Sequence, residues 1–194
     1  SWNFINSTTN PTNTVDTTGD HGTSVGGLIA MARNTAGGIG VASAARLKGF
    51  NFLRSQSVAN NVASLGGSAS NPVSNDVFVF NQSYGTGNTD DFLINPTVAA
   101  QYLSGVTTLR GGRGALYVKS SGNGFNGFGA AVCGGANAAG LSCQNANFDA
   151  NSSIPYQIVV GATNASGIKS SYSTAGSAIW VGAPGGEFGQ NASV

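Results

Sequence analysis

Residues 76–85 read Asp76-Val77-Phe78-Val79-Phe80-Asn81-Gln82-Ser83-Tyr84-Gly85, a compact apolar strand that runs straight into polar, glycine-containing sequence. Working outward, Val98, Tyr102, Leu103, Val106 and Leu109 recur at helical spacing over 95–109. Ala115–Val118 is a second apolar strand, followed at once by Ser120-Ser121-Gly122-Asn123. The same alternation extends in both directions. A helix is expected from Gly22 to about Arg33, ended by a turn over Asn34–Gly38. A strand over Ala45–Leu53, a short helix over Ser57–Leu65, and strands over Ile158–Val160 and Ile179–Val181 complete the set. Residues 1–20 are polar and irregular, with Pro11 and several Asn and Thr. Strands alternating with helices predict an α/β fold, a three-layer, mostly parallel sheet with helices on both faces. No repeat or linker is visible, so 194 residues are read as one domain. In such sheets ligands collect at the carboxyl ends of strands, where the polar segments after Phe80 and Val118 sit.

Composition narrows the function classes. Eight basic and seven acidic residues leave a net charge of +1, which gives no electrostatic basis for binding nucleic acid or an anionic membrane. No apolar run approaches the roughly 20 residues that span a bilayer. Thirty glycines, with many Asn, Ser and Thr, indicate tight turns and close backbone approaches. Low charge with this composition is common in secreted microbial proteins, so a secreted, cell-surface or periplasmic location is expected. Cys133 and Cys143, ten positions apart in a Gly/Ala-rich loop, read as a local disulfide fitting an oxidising compartment; two buried thiols are the alternative.

One stretch carries a candidate for chemistry. Asp20-His21-Gly22-Thr23-Ser24-Val25-Gly26-Gly27-Leu28-Ile29-Ala30-Met31 places the chain's single histidine at the start of a helix rich in small residues. His21 there is either a general base or a plain cap on a surface helix, with Asp20 as the capping residue.

Together these segments resemble the subtilisin-like serine proteases, the subtilases, and the resemblance covers nearly the whole chain. His21-Gly22-Thr23-Ser24-Val25 is similar to the segment that holds the family's general base, and 34–42 to the turn after that helix. Ser83-Tyr84-Gly85 resembles the strand end that pairs with substrate backbone, Ser120-Ser121-Gly122-Asn123 the oxyanion segment, and Ala183-Pro184-Gly185 the stretch ahead of the nucleophile. Each is weak alone; five in the right order are specific. Ser121-Gly122-Asn123-Gly124, Ser142-Cys143, Asn147-Phe148-Asp149 and Ile154-Pro155-Tyr156 are most similar to the kexin/furin branch.

The resemblance implies roles. His21 would take the proton from a serine hydroxyl and return it to the leaving amine. The Asn123 carboxamide would donate to the oxygen on which charge develops, although Asn beside Gly is also a common turn former. Ser83, Tyr84, Gly85 and Ser120, Ser121, Gly122 would pair with an extended peptide or protein substrate. Asp149, with Asp90 or Asp91, would line a pocket for a basic side chain; an ordinary loop carboxylate is the alternative for each. The Asn34 side chain and the carbonyls of Ala32, Ala36 and Gly38 resemble the family's calcium loop, whose remaining carboxylate lies upstream. The resemblance implies no cofactor for the hydrolysis itself. Near the pocket, Leu141 and Thr174 replace acidic residues of the relatives, which weakens a second calcium site there.

The chain also departs from the family. The family's aspartate lies well upstream of the histidine segment, whereas twenty residues precede His21. Val15-Asp16-Thr17-Thr18-Gly19 echoes its motif, but only five positions from His21 and on no apolar strand. Gly22-Thr23-Ser24 has the letters of the nucleophile segment but lies inside the histidine motif, and Ser193 is the one serine after Gly185. The resemblance therefore implies an internal piece of a serine endopeptidase, cut between aspartate and serine. Such a piece depends on the missing flanking segments of its own protein and is not expected to hydrolyse peptides alone. Two alternatives stay open: a catalytically inactive subtilase-like scaffold that binds peptide strands, and an unrelated α/β binding module with His21 as a cap.

Overall fold

The structure, a computed structural model, describes residues 1–12, 21–86, 93–125 and 130–187, without the side chains of 130–132. Near the N-terminus, β1 (Trp2–Asn3) pairs in parallel with β2 (Phe50–Asn51). The strand expected over Ala45–Leu53 thus shrinks to two residues, and a short strand arises where irregular chain was expected. The reason is the partner: β1 offers only Trp2 and Asn3 as ladder positions.

Helix α1 (His21–Ala30) stops short of the expected Arg33. Its last carbonyls are taken by returning chain: Gly40 N donates to Met31 O, Val41 N to Leu28 O and Ala42 N to Ile29 O, at 2.9, 3.0 and 2.7 Å. A helix must satisfy these groups at its end. Gly40 permits the close approach, because a Cβ there would lie 2.3 Å from Met31 N.

Helix α2 (Val58–Ser64) is capped by Ser57, whose Oγ accepts from Asn60 N at 3.1 Å. It precedes β3 (Val79–Gln82). Helix α3 (Pro96–Gly112) starts with Asn95 Oδ1 accepting from Thr97 N at 3.0 Å and Pro96 in the first turn. Its regular part ends at Leu109, where ψ turns to 159° and Arg110 and Gly111 take positive φ. Next come β4 (Leu116–Ser120), α4 (Ala130–Ala138), β5 (Ile158–Thr163) and β6 (Ile179–Pro184). Helix α4 stands where a loop was expected around Cys133: its alanines favour helix enough to outweigh Gly134 and Gly135. Cys133 is disulfide-bonded to Cys143, with their Cα atoms 5.3 Å apart.

The main sheet is four-stranded and parallel, ordered β3-β4-β5-β6. This is the mostly parallel α/β arrangement expected. Register then decides the core. Phe80 pairs with Tyr117, so both side chains leave the same face, toward α3. There Leu65, Phe80, Val98, Tyr102, Ala115 and Tyr117 form the buried cluster. The Phe80 and Tyr117 rings stack at 4.8 Å, and Tyr102 meets Tyr117 edge-on at 4.9 Å. Each such pair adds about 0.5–1.5 kcal/mol beyond its area. Tyr117 Oη donates to Leu65 O at 2.7 Å, so burial does not orphan the hydroxyl. On the opposite face the paired Val79 and Leu116 are about half exposed.

Candidate active site

β3 and β4 run side by side as far as the pair Gln82 and Lys119, and then the chains diverge. Parallel register therefore brings Ser83-Tyr84-Gly85 and Ser120-Ser121-Gly122-Asn123 to one edge of the sheet. Ser83 Oγ accepts from Asn81 Nδ2 at 2.9 Å. The Tyr84 ring packs on Phe52 at 6.1 Å, which ties the end of β3 to the two-stranded sheet. Burial, and secondarily the charge of Asp149, push the Tyr84 hydroxyl up to about 12.

The segment after β4 is held on all sides except at Asn123. Ser121 N donates to Val160 O at 2.9 Å, continuing the sheet by one bond, and its Oγ lies 3.4 Å from Ser173 Oγ. Gly122 has φ +105°, a conformation closed to most side chains. Thr174 N donates to Gly122 O at 3.0 Å, and Gly124 N donates to Thr174 Oγ1 at 2.8 Å. Gln144 N donates to Gly124 O at 3.0 Å, and Cys143 N to Phe125 O at 2.9 Å. Asn123 itself is exposed between two fixed glycines. Asn123 is therefore solvent-accessible on a hydrogen-bonded turn at the carboxyl edge of the sheet, where a carboxamide can donate to an external oxygen.

His21 is the first residue of α1, a helix that buries none of its side chains, and is itself exposed. Among the described residues, no hydrogen bond joins it to Asn123, so sheet register brings Ser83–Gly85 and Asn123 to one edge but does not account for the imidazole. Asp90 and Asp91, with Asp16, Asp20 and Ser193, lie outside the described residues.

Asp149 reaches this edge, but not as a free carboxylate. Lys119 Nζ lies 3.1 Å from Asp149 Oδ2 and donates to Tyr84 O at 2.5 Å. Thr86 N donates to Oδ2 at 3.0 Å and Asn151 N to Oδ1 at 2.9 Å. The lysine side chain is 2% exposed and the aspartate 10%. A lysine so buried requires a paired charge. The expectation of an aspartate open to a basic side chain is thus met by a carboxylate already occupied from within. Sequence reading missed Lys119; a lysine inside the strand Leu116-Tyr117-Val118-Lys119-Ser120 was the available sign. It also treated Thr174 only as a replaced acidic residue, whereas its hydroxyl and amide clamp the Asn123 turn.

The 32–38 loop presents neutral oxygens. Asn34 Oδ1 accepts from Ala36 N at 2.9 Å, and Ala32, Asn34, Ala36 and Gly38 are all exposed. Neutral oxygens are the donor class for calcium, yet a site normally includes carboxylates. Among the described residues no cluster of three or more His, Cys, Asp and Glu side chains could hold a metal. These four residues alone do not fit the ion. Among the described residues, no helix is long and apolar enough to cross a membrane.

Comparison with known proteins places this arrangement. The model of the subtilase family (peptidase S8) matches residues 1–194. The extracellular serine protease of Aeromonas sobria is 39% identical over 195 residues, covering 96% of this chain and 30% of that protein. Protease KEX1 of Kluyveromyces lactis is 32% identical over 164 residues, covering 83% of this chain and 19% of that protein. The crystal structure of the Aeromonas sobria protease with its chaperone superposes at a TM-score of 0.82, with 34% identity over 98% of this chain and 32% of that one. The chain thus spans about a third or less of the length of these relatives.

Proposed function

The chain belongs to the subtilase family, and from that premise we propose that it supplies the general base, the oxyanion donor and both peptide-pairing edges of a secreted serine endopeptidase. The observation that supports this reading is the parallel register of β3 and β4, after which Ser83–Gly85 and Ser120–Asn123 leave the same edge of the sheet. An extended peptide lying between them would find backbone partners on both sides.

The chemistry follows from that placement. A serine hydroxyl attacks the scissile carbonyl carbon while His21 takes its proton. The carbonyl electrons move to oxygen, and Asn123 donates a hydrogen bond to the resulting oxyanion. The C–N bond then breaks as His21 returns the proton to the leaving amine, and water releases the acyl group by the same steps. The serine, and the aspartate that would orient His21, are proposed to come from outside these 194 residues. Calcium is proposed for the 32–38 loop only in company with a carboxylate from elsewhere in the protein.

The test uses the full-length protein and a chromogenic peptide series. His21→Ala should abolish turnover, and Asn123→Ala should lower kcat with little change in KM. The expected loss for Asn123 is roughly 10²–10³-fold, a figure carried over from a subtilisin rather than obtained for this chain. Full activity in both variants would remove the proposal.

A further inference from the structure

We propose that Lys119 is a specificity-determining residue: by pairing with Asp149 against the Gly85 backbone, it makes a subsite between Ser83–Gly85 and Ser120–Gly122 accept an uncharged side chain and exclude a cationic one. This rests on the reading of the crevice as a peptide-binding site.

The argument begins with accounting for the carboxylate. Asp149 Oδ2 receives Lys119 Nζ and Thr86 N, and Oδ1 receives Asn151 N. Its charge is cancelled by a lysine whose side chain is 2% exposed. In a site this dry, a second cation would meet the fixed ammonium as well as the carboxylate, so it gains little attraction to offset the loss of its own hydration. The pair is also packed tightly against backbone. A Cβ built on Gly85 would lie 2.5 Å from Asp149 Oδ2 and 2.8 Å from Lys119 Nζ, so the backbone at Gly85 lies directly against the pair.

Lys119 has a second effect on the same crevice. Its bond to Tyr84 O, at 2.5 Å, joins a residue of β4 to the first turn beyond β3. The chain ends leaving β3 and β4 are therefore tied together at this edge of the sheet. One ammonium group holds both the Tyr84 carbonyl and the Asp149 carboxylate.

The experiment compares the full-length protein with Lys119→Met on peptide pairs that differ only in the residue before the scissile bond, Arg or Lys against Leu or Met. The wild type should favour the uncharged residue. In Lys119→Met the freed carboxylate should raise the basic-to-neutral ratio of kcat/KM by about tenfold or more. The double variant Lys119→Met/Asp149→Asn keeps a neutral pair of similar shape, and should retain the wild-type preference even where the single variant folds poorly. A wild-type preference for basic residues, an unchanged ratio in folded Lys119→Met, or a basic preference in the double variant would each overturn the proposal. Calorimetric binding of benzamidine gives a readout that needs no turnover: measurable binding to Lys119→Met with none to wild type is expected, and equal binding to both would also overturn it. Should no peptide be cleaved by the wild type, the peptidase reading fails, and the benzamidine comparison still decides the role of Lys119.

Discussion

The Thr174 hydroxyl accepts a hydrogen bond from the Gly124 amide at 2.8 Å, fifty residues back along the chain. Thr174 is 2% exposed, and its own amide holds Gly122 O at 3.0 Å. Thr174 thus fixes both glycines that flank Asn123. Thr174→Val removes the acceptor and keeps the shape, leaving a buried amide unsatisfied at a cost of about 1–3 kcal/mol. In the full-length protein it should lower kcat by roughly ten- to a hundredfold with KM nearly unchanged, because a displacement of about 1 Å at a reacting group costs that much. Thr174→Ser should restore most of the rate. A fall in stability with kcat intact would assign Thr174 a purely structural role.

Gly105 faces the Tyr117 hydroxyl so closely that an added Cβ would lie 1.8 Å from it. Two effects oppose each other in Gly105→Ala. Alanine gains about 1 kcal/mol of helix propensity, while overpacking a tight core costs about 1–3 kcal/mol. The hydroxyl is anchored on Leu65 O and the ring is stacked on Phe80, so it has little room to yield. Overpacking should win, and the denaturant midpoint should fall with an unchanged m-value. A midpoint above wild type would mean that α3 shifts to make room.

Alkaline pH should destabilise the chain from about pH 10 upward. Burial raises the hydroxyls of Tyr84 and Tyr117 to about 12, from the ordinary tyrosine value near 10, and pushes Tyr102 up as well. The unfolded chain releases these protons first, so between the two values the native state holds more protons and stability falls as pH rises. The contribution is complete below pH 10 and is lost through pH 12. Spectrophotometric titration should show these three tyrosines ionising only as the fold is lost. Reversible ionisation of all five tyrosines near pH 10 in the folded protein would contradict this.

The Cys133–Cys143 bridge closes a short loop that feeds into the Asn123 turn through the Cys143 N to Phe125 O bond. Replacing both cysteines with serine should cost about 2–3 kcal/mol. A reductant should lower the unfolding midpoint of the wild type and leave that of the double variant unmoved. Equal sensitivity in both would show that the bridge contributes nothing to stability.

Much of the molecule was legible in its letters. The helical spacing from Val98 to Leu109 appears as expected, because it is a local periodicity of burial. The strands expected over Asp76–Phe80 and Ala115–Val118 instead form later in the chain, at Val79–Gln82 and Leu116–Ser120, where the two segments pair with each other. Elements whose existence depends on a partner were not legible. The Ala45–Leu53 strand is trimmed to the two residues that β1 can pair, and α1 ends where residues 40–42 return to take its carbonyls.

The order of strands and helices, and the polar segments at the strand ends, follow from residues close together in the chain, where propensity and spacing act directly. The partners of Lys119 and Thr174 do not. Lys119 meets Asp149 and Tyr84, and Thr174 meets Gly122 and Gly124, only because sheet register and loop paths bring distant residues within bonding distance. Charge at a sequence position says nothing of whether folding will cancel it, and so the pairing of Lys119 with Asp149 emerged only from the assembled fold.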